Sequence, residues 1–265
     1  MDSTKESEMF NQSEAFNQMA DYYDTYRPGY PIKIIQTIVQ KTNLTAGSKL
    51  LEIGAGSGKA TAQFADYGFE MRCIDPGADL VQKGNRRFKG KNIEFIASRF
   101  EAYDAPPQYF DAVFSAQAFH WVPQPVGYQK CAATLRKGGH LALFWNIDIS
   151  RDTDADKDLL RVLNRYDGFT SCMSQADYRK RPASIASGIV QSGLFTEPEI
   201  THARWKMKYT ADAYFGYMLT GNVFVQKPDA EKQACYQEIK QLATKHNGIE
   251  RHYVCELYVS QKAAL

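Results

Sequence analysis

The sequence predicts an α/β fold built on a mostly parallel sheet with helices on both faces. Three observations predict it. Short, nearly continuous apolar runs occur at 49–53, 70–74, 92–97, 110–115 and 140–145, segments of helical character separate most of them, and a glycine-rich turn follows the first run. Strands buried on both faces read as unbroken apolar runs, and their alternation with helices calls for parallel crossover connections.

Taken in order, residues 1–13 are polar and are expected to be disordered. They lack the cationic-then-apolar order of a secretory leader. Over 14–26 the aromatics Phe16, Tyr22, Tyr23 and Tyr26 recur near helical spacing. Arg27-Pro28-Gly29-Tyr30-Pro31 then breaks the run, because proline ends or restarts a helix. Apolar residues at 34, 35, 38 and 39 mark an amphipathic helix over 32–42. Helices are expected at 59–67, 79–88 and 126–135, between the five strands. A composition shift near residue 150 introduces a charged helix at 151–165 and another helix at 184–191. Beyond them a strand is expected at 200–209, helices at 211–219 and 231–245, and a last strand at 253–259. Residues 14–150 thus read as cap helices and a ligand-binding core. Residues 151–265 read as part of the same domain, adding strands to the sheet and helices that cover a pocket.

Composition narrows the function. Of 265 residues, 44% are hydrophobic, enough for a sizeable core without staples. Thirty-two Lys and Arg against 30 Asp and Glu give +2, which points to no nucleic-acid or anionic-membrane surface. Five cysteines are widely spaced with no CxxC pair, so they read as reduced core residues and not as a zinc or disulfide framework. No apolar run approaches the ~18 residues of a membrane span. A cytoplasmic protein without a metal centre is the expectation.

The strongest motif is Leu50-Leu-Glu-Ile-Gly-Ala-Gly-Ser-Gly58, a strand-to-helix turn with glycines at 54, 56 and 58. Its GxGxG spacing differs from the GxGxxG dinucleotide fingerprint, which weighs against a nicotinamide oxidoreductase. Gly58-Lys59-Ala60 lacks the hydroxyl that closes a P-loop. Asp75 ends the second strand, 17 residues after Gly58. There it either accepts hydrogen bonds from ribose hydroxyls or caps the turn at Pro76-Gly77.

Together these residues resemble class I S-adenosylmethionine-dependent methyltransferases, well over 15–150 and in outline beyond. Tyr26-Arg-Pro-Gly-Tyr-Pro31 and Ser115-Ala-Gln-Ala-Phe-His-Trp121 are similar to the small-molecule branch that includes trans-aconitate methyltransferase-like proteins. The resemblance implies a Rossmann-like doubly wound sheet of seven strands whose last strand runs antiparallel, with S-adenosylmethionine across the strands' carboxyl ends. It implies cofactor contacts at Tyr26, Arg27, Glu52, Gly54, Ala55, Gly56, Gly58, Asp75, Pro76, Leu80, Arg99, Phe100, Ser115, Gln117 and Trp121. Arg99-Phe100 stands where relatives often carry Asp-Ala, leaving the Phe100 amide or ring to meet the adenine. Acceptor contacts are implied at Tyr22, Tyr30, Phe119, His120 and Trp145. Arg27 reads either as a partner of the methionine carboxylate or as a cap on helix carbonyls. Phe119 and Trp121 read as pocket walls or as core, and Asp111 as orienting a turn.

His120 has three readings: general base, ligand contact or structural hydrogen bonding. In the last third, Tyr166, Phe169, Tyr178, Arg179, Arg181, Trp205, Tyr214, Tyr217 and Met218 are candidates to line a cavity, and an arginine there suits an acidic acceptor. The expected function is methyl transfer to a small-molecule acceptor such as a carboxylate or hydroxyl. A protein or RNA methyltransferase and a non-catalytic S-adenosylmethionine binder are the alternatives.

Overall fold

The computed structural model describes residues 25–166 and 172–264. The expectations for 1–13, Phe16, Tyr22, Tyr23 and Phe169 lie outside the described residues. Helix α1 (Ile32–Lys41) buries Ile34, Ile35 and Ile38. Then follow β1 (Lys49–Ile53), α2 (Thr61–Phe64), β2 (Glu70–Asp75), α3 (Ala78–Arg87), β3 (Ile93–Ala97) and β4 (Phe110–Ala116). A 3-10 turn, Phe119–Trp121, leads to α4 (Val126–Thr134) and β5 (Leu135–Ile149). The remainder comprises α5 (Asp154–Arg165), β6 (Cys172–Met173), α6 (Gln175–Gln191), β7 (Glu199–Tyr209), α7 (Ala211–Met218), α8 (Asn222–Val225), α9 (Asp229–Lys245) and β8 (Ile249–Gln261).

The strands form one mixed, mostly parallel sheet in the order β3-β2-β1-β4-β5-β8-β7, with β6 paired to β5. The neighbours from β3 to β5 are parallel. At the far end, Phe195 bridges antiparallel to Lys262, just past the end of β8. This is the mostly parallel sheet that the alternating apolar runs predict, in the Rossmann-like form that the resemblance implies, with eight strands in place of seven. Its strand order reverses beside β1, where an open α/β sheet presents a ligand crevice at the strands' carboxyl ends.

The chain groups into two compact units. The sheet unit comprises Gly29–Asn146, Lys180–Ala203 and Cys255–Leu265. Its core packs α1 and Phe64 against Leu50, Phe114 and Phe144 of the central strands. Phe64 and Phe114 meet at 4.7 Å, and the Tyr30 ring stands edge-on to Phe144 at 4.9 Å. Each such side chain contributes about 1.5–3 kcal/mol by leaving water. Asp111 accepts from the Lys49 amide at 2.7 Å and pairs with Arg136, so it clamps the start of β1.

The second unit comprises Ile147–Arg179 and Arg204–Val254 together with the segment ending at Pro28. Its core is rich in tyrosine: Tyr209, Tyr214 and Tyr217 pack with Leu159, Leu163, Phe224 and Ile239. Among the described residues no helix is long and apolar enough to cross a membrane. All five cysteines are free thiols, four of them buried.

Candidate active site

The site starts where β1 runs out. Gly54 and Ala55 both donate to the Ile74 carbonyl, at 2.8 and 3.1 Å, so the turn is hung on the end of β2. The three glycines do different work. A Cβ on Gly54 would lie 2.2 Å from the Ala118 Cβ, which explains how closely the loop after β4 approaches this turn. A Cβ on Gly58 would enter the stacked rings of Phe88 and Phe95. Gly56, with φ of 57°, has nothing within 4 Å of its would-be Cβ. It alone of the three borders open space.

Asp75 ties this turn to the next one. Its Oδ2 accepts from the Gly56 amide at 2.9 Å and its Oδ1 from the Gly77 amide at 2.8 Å. Burial raises its pKa, while these two amides stabilise the charged form. Each carboxylate oxygen keeps acceptor capacity beyond one amide, so capping the turn and receiving hydroxyl donors are compatible roles. Pro76 is exposed beside it, and Leu80 is buried on the first turn of α3.

Several residues expected at the ligand are engaged in the scaffold. Glu52 is buried and accepts from the Thr61 hydroxyl and the Cys73 thiol. Burial, reinforced by the Asp75 charge, pushes its pKa up to about 8. The Ser115 hydroxyl donates to the Ile53 carbonyl at 2.8 Å, pinning β4 to the end of β1. Phe100 is buried, with the Lys130 ammonium 5.6 Å from its ring centre, and Arg99 lies 3.6 Å from Glu101. Phe119 is buried against Tyr128 at 5.2 Å.

Gln117 sits at φ of 61° directly after β4. Its side-chain oxygen accepts from the Asn146 amide at 2.8 Å and its nitrogen donates to the Asn146 carbonyl at 3.3 Å. The Asn146 side chain in turn donates to the Gly29 carbonyl at 2.7 Å. Gln63 holds the adjoining Tyr30 carbonyl at 2.7 Å. The Gly29-Tyr30 segment is thereby fastened to the ends of β4 and β5. Tyr26 and Arg27 belong to the second unit. There the Tyr26 ring covers Gly216, while Arg27 lies over Tyr217 at 5.2 Å and donates to the Thr220 carbonyl at 3.4 Å.

A second group gathers around Trp145. Its indole N–H donates to His120 Nδ1 at 3.3 Å, and the His120 ring lies 4.7 Å from that of Trp121. The Arg181 guanidinium lies over the Trp145 ring at 5.3 Å, and Tyr258 stands edge-on to the same ring at 6.0 Å. Arg181 Nε donates to Glu256 Oε2 at 3.1 Å, an oxygen that also accepts from the Tyr258 hydroxyl at 3.0 Å. Desolvation and the nearby Arg181 charge lower the His120 pKa to about 4. The ring is therefore neutral near pH 7. With Nδ1 accepting from the indole, its one proton sits on Nε2. In this tautomer His120 presents a hydrogen-bond donor at Nε2.

Asn146, Glu256 and Tyr258 were not among the residues read as functional. Glu256 did leave a signal, since it is the one charge inside the apolar run Tyr253-Val-Cys-Glu-Leu-Tyr-Val259. A buried charge in a strand needs a partner, and Arg181 is that partner.

Residues 51–143 match the family model of a methyltransferase domain. An uncharacterized methyltransferase of Mycobacterium tuberculosis is 29% identical over 138 residues, covering 51% of this chain and 54% of the relative. A Saccharomyces cerevisiae protein named as a probable S-adenosylmethionine-dependent methyltransferase is 33% identical over 129 residues, covering 47% of this chain and 44% of the relative. The chain thus spans about half the length of the curated relatives it matches. A solved structure from Anaeromyxobacter dehalogenans described as a type II methyltransferase superposes with a TM-score of 0.62 at 19% identity, covering 89% of this chain and 97% of that one. A Haemonchus contortus phosphoethanolamine N-methyltransferase holding S-adenosylhomocysteine superposes with a TM-score of 0.54 at 12% identity, over 94% and 58% of the two chains. Within the Rossmann-like sheet, residues 51–143 form the stretch that matches a methyltransferase domain.

Proposed function

We propose that this chain transfers a methyl group from S-adenosylmethionine to a small-molecule acceptor. The observation that carries the reading is the open space over Gly56, bordered by the Asp75 carboxylate, within the segment that matches a methyltransferase domain. When bound, S-adenosylmethionine supplies an electrophilic methyl on a positively charged sulfur, so the leaving group is built into the cofactor. The chain's residues then bind, orient and keep water out. Asp75 accepts the ribose hydroxyls, and the backbone at 54–58 approaches the amino-acid portion where a side chain would intrude. Gln117 and Asn146 hold the ends of β4 and β5 rigid beside it. Trp121 offers an aromatic face, which favours a nearby cation by about 0.5–2 kcal/mol. The strings at 26–31 and 115–121 support a small-molecule branch resembling trans-aconitate methyltransferase-like proteins, and the near-zero net charge supports the same choice.

Calorimetric titration with S-adenosylhomocysteine tests the reading. Gly56→Val fills the open space and Asp75→Ala removes the hydroxyl acceptor; each is expected to weaken binding at least tenfold. Wild-type affinity in both variants would overturn the assignment. Tritium transfer from methyl-labelled S-adenosylmethionine to a panel of acids, phenols and amines then separates an enzyme from a binder.

A further inference from the structure

A cavity of about 440 Å³ lies within the second unit, a size that suits a small molecule. Arg151 just past β5, Arg204 and Lys206 of β7 and His252 of β8 all line it. None of the four is among the residues read as cofactor or acceptor contacts. Ile149 and Val254, both buried, and the part-exposed Trp205 ring give the cavity an apolar side. Its cations outnumber their counter-ions. Glu250 is the carboxylate bonded to this group, 3.0 Å from Lys206 Nζ and 2.9 Å from His252 Nε2. Among the described residues Arg204 makes no hydrogen bond or ion pair, and the Arg151 guanidinium meets only His252. His252 leaves the group unsatisfied as well, because its Nε2 faces both Arg151 Nη1 at 3.1 Å and Glu250 Oε1. One ring nitrogen carries either a proton or a lone pair, so it cannot donate to the glutamate and accept from the arginine at once. An anion beside Arg151 removes the conflict: the guanidinium donates to the anion, and the Nε2–H stays with Glu250.

We infer that this cavity binds a small molecule carrying a phosphate monoester on an apolar body, its phosphate received by Arg151 and Arg204. Charge selects the class first. The permanent cations Arg151, Arg204 and Lys206 against the one carboxylate of Glu250 leave an excess of two. That matches the charge of about −2 on a phosphate monoester near pH 7, and a carboxylate would leave one cation unbalanced. Geometry agrees, since a guanidinium meets phosphate oxygens in pairs. The apolar side rewards a hydrocarbon group, which inorganic phosphate lacks. Lys206, already held by Glu250, adds charge to the site. The inference does not depend on the methyl-transfer reading, because it uses none of the residues of the glycine turn or of Asp75.

Calorimetric titration of the full chain tests this, in low salt so that exposed charges are not screened. The probes are hexyl phosphate, phenyl phosphate, inorganic phosphate and hexanoate. At least one ester is expected to bind ten times more tightly than both inorganic phosphate and hexanoate. Arg151→Gln and Arg204→Gln, both at exposed positions, should each weaken that ester about fivefold or more and leave the thermal melt in place. Saturating S-adenosylhomocysteine should leave the affinity for the ester within about twofold. Binding of neither ester, equal binding of inorganic phosphate or hexanoate, wild-type affinity in either variant, or displacement of the ester by S-adenosylhomocysteine would overturn the inference. The methyl-transfer reading is judged separately, by uptake of S-adenosylhomocysteine in the absence of any ester.

Discussion

Glu52 and His120 show how its surroundings decide what a titratable side chain can do. With a pKa near 8 in the folded chain against an ordinary value of 4.5, Glu52 keeps its proton where the unfolded chain has lost it. The native state then binds more protons than the unfolded one, so stability is full below pH ~4.5 and is lost as pH rises through ~8. Glu52→Gln is expected to remove on the order of 4 kcal/mol of that decline, read from urea unfolding at pH 5 and pH 8. An equal slope in the variant would show Glu52 to be ionised in its pocket. His120 makes a second residue-scale prediction. Its ring resonances should titrate near pH 4 by NMR. A midpoint of 6 or above would return the imidazole to the role of general base. Sequence named both residues, but it could not see that the Trp145 indole occupies Nδ1, because that contact joins positions 25 apart.

The central strands β1 and β4 are held by more than their ladder. Ser115 adds a side-chain bond to the Ile53 carbonyl at the point where β1 becomes the glycine turn. Ser115→Ala leaves a buried carbonyl short of one donor and is expected to cost about 1–2 kcal/mol. Its effect should extend to the turn, since Gly54 follows Ile53 directly. A thermal melt and a cofactor titration of the variant check this together, and unchanged values for both would mean the ladder alone suffices. Element boundaries divided by the physics behind them. Strands announced by unbroken apolar runs were legible to within a residue or two, as β2, β3 and β4 show. Helix α6 was not: it was expected over 184–191, but it begins at Gln175 and carries Pro182 inside. Burial of Tyr178 and Ile189 outweighs one missing backbone bond, and such packing is invisible to local propensity. The reading at 59–67 failed in the other direction, since only Thr61–Phe64 is α-helical there. The end of β5 was missed too, because Asn146 and Asp148 interrupt its apolar pattern.

On the scale of the whole molecule, the second unit depends on a buried charge cluster that the first third of the chain does not foreshadow. Arg251, 1% exposed, meets Asp148 through two bonds of 2.7 and 2.9 Å and Asp156 through one of 3.3 Å. The three groups come from β8, β5 and α5. Arg251→Met strands two buried carboxylates and is expected to destabilise the chain by about 3–5 kcal/mol in denaturant unfolding. A loss below 1 kcal/mol would mean that water reaches the cluster. By itself the sequence determined the class of fold, the glycine turn and the acid at the end of the next strand, because apolar periodicity and backbone freedom are written locally. Only the tertiary structure decided which of three glycines opens onto space, that Ser115 bonds the end of β1 and Phe119 packs on Tyr128, and that Arg181 and His120 meet around one tryptophan. Those are contacts between distant segments, and their energy exists only once the sheet has brought the segments together.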